Sequence, residues 1–130
     1  MKVLTIKEPF ATLIKNRIKY VETRSWKTNY RWELYIHAGI AKEIKARKEL
    51  SKLYSEDELK YGYIICKCNL VDCIYMTEEY IKQEKEKNHS NFVAGRYEVG
   101  RYAWVLDNIE PIKPIKAKGQ LGIWNYKNNI

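Results

Sequence analysis

Residues 18–26, IKYVETRSW, bring four side chains with chemical potential into one short segment. Lys19, Glu22, Arg24 and Trp26 supply an ammonium, a carboxylate, a guanidinium and a large aromatic ring. A guanidinium can fork onto a phosphate or a base edge, and a carboxylate can accept hydrogen bonds from an exocyclic amine. A tryptophan ring offers a surface on which a base can stack. These residue types together suit a site for a nucleotide.

The spacing of the three charged residues leaves two arrangements open. On a regular strand Glu22 and Arg24 lie on one face and Lys19 on the other, because successive side chains alternate. Glu22 and Arg24 would then form a surface ion pair worth at most about 1 kcal/mol. A bulge or turn near Tyr20 would instead direct all three groups into one cleft.

Two further candidates lie in the following segment, WELYIHA, whose alternation of apolar and polar residues predicts a half-buried strand. Trp32, next to Arg31, is a candidate for stacking on a base. His37 is one of the polar positions of this strand. It either lines the same cleft or packs under a loop with its hydrogen bonds satisfied, and the sequence leaves both possibilities open.

Charge is the most informative feature of the composition. The 130 residues carry a formal net charge of +8, and the sequence pI is about 9.3. Such a protein attracts polyanions through its long-range field, and nucleic acid is the commonest of these. The basic residues are concentrated in residues 17–31 and 111–130. A lysine-rich composition without functional meaning is the alternative explanation.

Several classes of protein do not fit the composition. No stretch approaches the ~20 apolar residues of a spanning helix, and charges interrupt the first ten residues too early for a signal peptide. We therefore expect a cytoplasmic protein without a membrane partner. The cysteines, Cys66, Cys68 and Cys73, are odd in number and share one apolar run. This pattern predicts reduced thiols rather than disulfides or a zinc site, and we expect neither a metal nor a cofactor.

Hydrophobic periodicity predicts five or six strands and about three short helices, which is an α+β domain spanning residues 1–130. Helices are predicted over residues 8–17, around Ile40, Ile44, Leu50, Leu53 and Tyr54, and after the capping residue Thr77. The strands are predicted at VLTI, VETRSW, WELYIHA, YGYIICKCNLVDCIY, RYAWVL and PIKPIKA, and GQLGIW closes the chain. PIKPIKA is expected at a sheet edge because proline cannot donate to a central ladder. NHSNFVAG is predicted to be a loop.

Four segments resemble the ASCH domain family, a relative of the PUA fold, and they occur in that family's order. They are LTIKEPFATLI, IKYVETRSWKTNYRWELYIHAG, GRYAWVL and KGQLGIW. The resemblance implies a small PUA-like β-barrel with a cleft that binds RNA or a modified nucleoside. Three positions depart from the family's usual residues: Phe10 replaces a common tryptophan, and Arg17 and Trp32 replace common glycines. The added bulk would narrow the site, or extend it by a cation and a ring.

The resemblance also implies two possible reactions. Some relatives look like acetylcytidine amidohydrolases, which use a lysine, a threonine and a glutamate. The lysine matches Lys19 and the glutamate matches Glu84, but the threonine position holds Glu22. A carboxylate there favours the charged ammonium over the neutral amine that a nucleophile or base requires. Lys19 is therefore expected first to bind a phosphate or carbonyl, with Glu22 or Glu84 as the general base on water if amide hydrolysis occurs.

Other relatives have been described as ribonucleases. For that reaction Glu22, His37 and Lys19 would supply a base, an acid and a cation, although their spacing does not require it. We therefore expect an RNA- or modified-nucleotide-binding domain first, and an amidohydrolase or a single-strand ribonuclease as alternatives.

Overall fold

A computed structural model describes residues 1–42 and 48–127 of the chain. The strands are β1 (Lys2–Glu8), β2 (Val21–Arg24), β3 (Trp32–Lys42), β4 (Tyr63–Tyr75), β5 (Tyr102–Lys116) and β6 (Ile123–Asn125). The helices are α1 (Phe10–Lys15), α2 (Lys48–Ser51), α3 (Glu78–Lys87) and α4 (His89–Val93), with a 3-10 turn at Glu56–Glu58. None of the helices that the structure describes has both the length and the apolar character needed to span a bilayer.

The strands form one mixed sheet in the order β2–β5–β4–β3–β1–β6. β1 and β3 pair in parallel, and the other neighbours pair antiparallel. The α+β class and the strand number predicted from the sequence are confirmed. The sheet is not closed into a barrel, because the outer edge of β2 is occupied by the segment around α4: Asn91 accepts from Val21 N, and Arg96 N donates to the Thr23 hydroxyl.

The main core forms where α1 packs against the sheet. Trp104 of β5 is fully buried there, and Trp124 of β6 is buried in a smaller cluster with Val3 and Ile64. Burial of one large apolar side chain contributes about 1.5–3 kcal/mol. The aliphatic residues around Trp104 include Leu4, Ile14, Leu34, Ile36, Ile65 and Leu70.

A buried carboxylate fixes the start of α1. Glu8, at the end of β1, accepts hydrogen bonds from Thr12 N at 2.8 Å and the Thr12 hydroxyl at 2.6 Å. A third bond comes from Lys60 N at 3.0 Å. Glu8 thereby satisfies a donor in the first turn of α1, which has no intrahelical acceptor. The helix predicted over residues 8–17 is confirmed, with the shorter span Phe10–Lys15.

Asparagine caps explain why the predicted loop NHSNFVAG contains a helix. Asn88 accepts a hydrogen bond from Asn91 N at 3.0 Å, so α4 begins directly after α3 ends. A side-chain oxygen at this position satisfies one of the unpaired N–H groups of a first turn. The preceding helix begins as predicted, because the Thr77 hydroxyl accepts from Tyr80 N at 3.1 Å.

The second predicted helix is shorter than expected, because β3 extends to Lys42 and includes Ile40. The end of β3 is held by pairing with β1, and the register places Lys42 opposite Glu8. Ile40 is 83% exposed, so its apolar side chain does not belong to a helix face that packs on the core. Only α2, with buried Leu50, remains of this helix in the described residues, and Ile44 lies outside them.

The two last predicted strands before β6 are one long strand, β5. β2 covers only its first four residues, Tyr102 to Val105. Pro111 and Pro114 lie further along, where the described residues give β5 a single strand neighbour, β4. The prolines therefore occupy an edge, as predicted, because they cannot donate to a second neighbour.

Candidate functional site

A cleft of about 1250 Å³ lies between β2, the segment after α4 and the loop that precedes β6. Five of the residues predicted for a site line it: Lys19, Glu22, Arg24, Trp26 and His37. Four of them lie in β2 or directly beside it, and His37 lies in β3. The structure therefore brings together most of the candidates that the sequence supplied.

One carboxylate joins the two predicted cations at the floor of the cleft. Oε1 of Glu22 lies 3.5 Å from Nζ of Lys19, and Oε2 lies 3.0 Å from Nη2 of Arg24. Lys19 reaches the same side as Glu22 because β2 begins only at Val21, so strand alternation does not apply to it. The irregularity near Tyr20 is present: the chain turns at residues 16–18, and Lys19 and Tyr20 precede the regular strand.

Asn91 holds this break in the strand. Its Oδ1 accepts hydrogen bonds from Tyr20 N at 2.9 Å and from Val21 N at 3.2 Å. Its Nδ2 donates to the Tyr97 hydroxyl at 3.0 Å, and the residue is fully buried. The amide satisfies two backbone donors that a sheet partner would otherwise pair, which a buried backbone requires. The chain can therefore turn after Lys19 without leaving buried N–H groups unpaired.

The polar heads of Lys19 and Arg24 are held by backbone carbonyls as well as by Glu22. Lys19 is 1% exposed, and its ammonium donates to Ala94 O at 2.7 Å and lies 5.6 Å from the centre of the Phe10 ring. Arg24 donates from Nη2 to Thr5 O at 3.0 Å. These contacts fix both cations before any ligand arrives, which lowers the entropy cost of binding.

Trp26 presents part of its ring to the cleft. The residue is 38% exposed, and its ring meets the buried Trp104 ring edge to face, with centroids 4.6 Å apart. Trp104 also donates from Nε1 to Trp26 O at 3.2 Å. Trp26 is thus a supported aromatic surface at the cleft wall.

His37 combines the two possibilities that the sequence left open. It lines the cleft, yet it is 1% exposed, and Gly119 passes so close that a Cβ there would lie 3.0 Å from the ring. Nε2 lies 2.6 Å from Ala117 O and must donate, because a carbonyl only accepts. Nδ1 lies 3.3 Å from the Thr5 hydroxyl, which already accepts from Trp124 Nε1. Both ring nitrogens of His37 therefore have hydrogen-bond partners within the protein.

Trp32 lies outside the cleft. It begins β3, is 69% exposed and adopts a positive φ of 82°. It lies five positions before His37, which corresponds to roughly 17 Å along a strand. The structure therefore places Trp32 where it does not narrow the cleft.

Glu84 also lies outside the cleft, on α3, where it is 9% exposed. Its Oε2 is buried and has no hydrogen-bond partner in the described residues. Burial, with the nearby Glu84 carboxylate as a smaller cause, raises the pKa of Tyr20 and of Tyr80. Glu84 thus belongs to a tyrosine-rich cluster rather than to the group around Lys19.

Four of the six cations of the cleft, including Lys118, were not among the site residues predicted from the sequence. Lys7, Arg96 and Arg101 line it together with Lys19, Arg24 and Lys118, whereas Glu22 is the single acidic residue among its described lining residues. The segment GRYEVGR holds the two arginines, and a count of charges in that loop was the available signal. The cleft is therefore strongly cationic.

The chain matches the model of the ASCH domain over residues 4–117, and it belongs to this family. The predicted family is thereby confirmed. No curated protein matches the chain significantly. Within the described residues, no group of three or more His, Cys, Asp and Glu side chains is placed to hold a metal ion.

Proposed function

We propose that this protein binds RNA or a modified nucleotide in the cleft. The observation that carries this proposal is the Lys19–Glu22–Arg24 group at the floor of a cleft with six cationic lining residues. A concave site with one sign of charge concentrates ligands of the other sign. The single carboxylate adds a hydrogen-bond acceptor that a simple phosphate-binding patch does not need.

Each floor residue has a distinct role in this proposal. The guanidinium of Arg24, tethered through Nε and Nη2, directs its remaining donors to a phosphate or to a base edge. Each oxygen of Glu22 has a second lone pair beyond its cation contact, so it can accept from an exocyclic amine. Lys19 stabilises the charge of that carboxylate and can donate a hydrogen bond to a carbonyl of the ligand. The Trp26 ring supports a base by stacking.

The test is a titration of fluorescent single-stranded RNA at several salt concentrations. We expect a dissociation constant in the micromolar range or below, weakening as salt rises because bound phosphates release counterions. Arg24→Ala should lose most of the affinity. Lys113→Ala removes the same charge from an exposed position of β5 outside the cleft lining and should have little effect. Absence of RNA binding at low salt would contradict the proposal.

Hydrolysis of an acetylcytidine-type amide is a second candidate, favoured by the 3.5 Å distance between Lys19 Nζ and Glu22 Oε1 in the cleft. Glu22 would deprotonate a water that adds to the amide carbonyl, and Lys19 would stabilise the oxyanion. Glu22 would return that proton to the nitrogen as the C–N bond breaks, releasing cytidine with a neutral exocyclic amine and acetic acid, which loses its proton to solvent.

Chromatography of acetylcytidine incubated with the protein distinguishes this candidate. Cytidine should appear with the wild type and be lost in Lys19→Ala. Glu84→Gln is the matched control, because Glu84 lies outside the cleft. No turnover in the wild type, or full turnover in Lys19→Ala, would remove the hydrolase and leave the binding proposal untouched.

A further inference from the structure

Arg96 and Arg101 are both held by Thr23 at one side of the cleft. Arg101 donates from Nη2 to Thr23 O at 3.2 Å and from Nε to Arg96 O at 3.2 Å. Arg96 N donates to the Thr23 hydroxyl at 2.9 Å. Arg96 and Arg101 line the cleft together with Arg24, and Arg101 interacts electrostatically with both Glu22 and Arg24, so this arginine pair adjoins the cleft floor.

Like charges are concentrated at this place. Burial is the first cause that lowers the pKa of the Arg101 guanidinium, and the positive charges of Arg96 and Arg24 lower it further. Nη1 of Arg101 and Nη1 of Arg24 have no hydrogen-bond partner in residues 1–42 and 48–127. An anion between these guanidinium groups would relieve the repulsion and supply acceptors for their donors.

Glu98 is an acidic residue that pairs with one of these arginines. Its Oε1 lies 2.9 Å from Arg96 Nε, and both side chains are more than half exposed. The hydrogen bond from Arg96, together with the charge of Arg101, holds the pKa of Glu98 below its usual value. An exposed carboxylate at this position competes with any incoming anion, so its removal should strengthen anion binding.

We propose that Arg24, Arg96 and Arg101 form a phosphate subsite beside the floor of the cleft, so that the ligand is a nucleotide or an RNA phosphodiester rather than a free nucleoside. This inference rests on the proposed function and narrows it. The Lys19–Glu22 pair and Trp26 would receive the base, and the arginine group would receive the phosphate attached to the same or the neighbouring ribose.

Four probes separate the possible sources of the phosphate: cytidine, cytidine 5′-monophosphate, inorganic phosphate and a single-stranded RNA hexamer. Binding is followed by calorimetry and by the side-chain Nε–Hε NMR signals of the arginines. We expect the monophosphate to bind roughly 10-fold or more tightly than cytidine, since a hydrogen bond to a charged group contributes about 1.5–3 kcal/mol. Inorganic phosphate should shift the Arg96 and Arg101 signals.

Arg101→Gln should weaken binding of both the monophosphate and the hexamer by roughly 10-fold and leave cytidine unchanged. It should also reduce the salt slope for the hexamer by about one. Arg96→Gln is the second variant, because that exposed guanidinium bonds only Glu98 among the described residues and its loss leaves the Thr23 contact in place. Glu98→Gln should strengthen phosphate binding, and Lys113→Gln controls for net charge.

The outcomes separate this inference from the function on which it rests. If the hexamer binds and is lost in Arg24→Ala, while Arg96→Gln and Arg101→Gln bind like the wild type, the phosphate subsite is refuted and the binding function stands. If inorganic phosphate and the monophosphate depend on Arg96 and Arg101 but the hexamer does not bind, the subsite stands and RNA is refuted as the ligand. A weaker affinity for the monophosphate than for cytidine would also overturn the subsite.

Discussion

Nζ of Lys19 and Oε1 of Glu22 lie 3.5 Å apart at a place where a regular strand would have sent their side chains to opposite faces. Both side chains are at least nine-tenths buried. Arg24, on the other carboxylate oxygen, is partly exposed to the cleft. Glu22 therefore neutralises a buried cation on one side and orients a cleft-facing cation on the other.

Replacement of Glu22 should destabilise the fold. Glu22→Gln leaves the buried ammonium of Lys19 without a counter-charge and next to Arg24, and breaking a buried pair costs about 3–5 kcal/mol. Lys19→Met should cost less, because it removes the charge and keeps the length of the side chain. Urea denaturation measures both. Glu110→Gln is the control, because its pair with Lys67 is exposed and worth about 1 kcal/mol or less. Equal losses in Glu22→Gln and Glu110→Gln would contradict this prediction.

Asn91→Ala should release the turn after Lys19. Two buried backbone donors, Tyr20 N and Val21 N, would lose their acceptor, and each unsatisfied buried group costs about 1–3 kcal/mol. We expect lower stability in urea, faster hydrogen exchange at these two amides and weaker RNA binding. Tyr97→Phe is the matched control, since it removes the partner of Nδ2 and keeps Oδ1 in use. Unchanged exchange at the two amides would show that Asn91 does not hold the turn.

Trp26→Leu should weaken nucleotide binding by about 1–3 kcal/mol, the typical contribution of a stacked base. Trp26→Phe should retain part of the affinity because a ring remains. Trp32→Leu controls for the loss of an exposed indole outside the cleft. The measurement is the RNA titration, with thermal unfolding to check the fold. Equal losses in Trp26→Leu and Trp32→Leu would argue against stacking on Trp26.

The tyrosine cluster beside Glu84 should make stability fall at alkaline pH. Burial first, and Glu84 second, raise the pKa of Tyr80 above its usual value of 10.0. The folded state therefore keeps this phenol protonated where the unfolded chain ionises. Its contribution is complete below about pH 10 and is lost progressively above it. Urea denaturation at pH 9 and pH 11 should show a smaller decrease in Tyr80→Phe than in the wild type. The exposed Tyr75→Phe should decrease like the wild type, and identical decreases in all three proteins would refute the effect.

The sequence was sufficient for the local part of the site and insufficient for its long-range support. The residue types at Lys19, Glu22 and Arg24 and the need for a turn near Tyr20 were readable from spacing. The acceptor that makes this turn possible, Asn91, lies 71 residues from Tyr20, so no local pattern contains it. A single buried asparagine whose amide takes the place of a strand partner produces no periodic pattern in the sequence.

The misplaced elements have local physical causes. Ile40 fits a helical apolar pattern, but it is an exposed residue at the cleft rim, so its hydrophobicity is not a core signal. The helix His89–Val93 depends on a cap at Asn88, which was interpreted as a loop residue. Arg96 and Arg101 lie in the loop before β5, outside the basic segments 17–31 and 111–130. Hydrogen bonds from Arg96 N and Arg101 Nη2 to Thr23 hold this loop against β2, and such long-range contacts leave no local pattern in the sequence.

The loop that contains Gly119 forms one wall of the cleft and is among the last parts of the chain to be synthesised. Residues 117–122 cover His37 and one side of the cleft, and β6 then pairs with the outer edge of β1. The ribosome makes the chain from its N-terminus, so Lys19, Glu22 and Arg24 emerge long before the residues that cover them. Until residues 117–125 have left the ribosome, the charged floor lacks this wall and the cleft is incomplete.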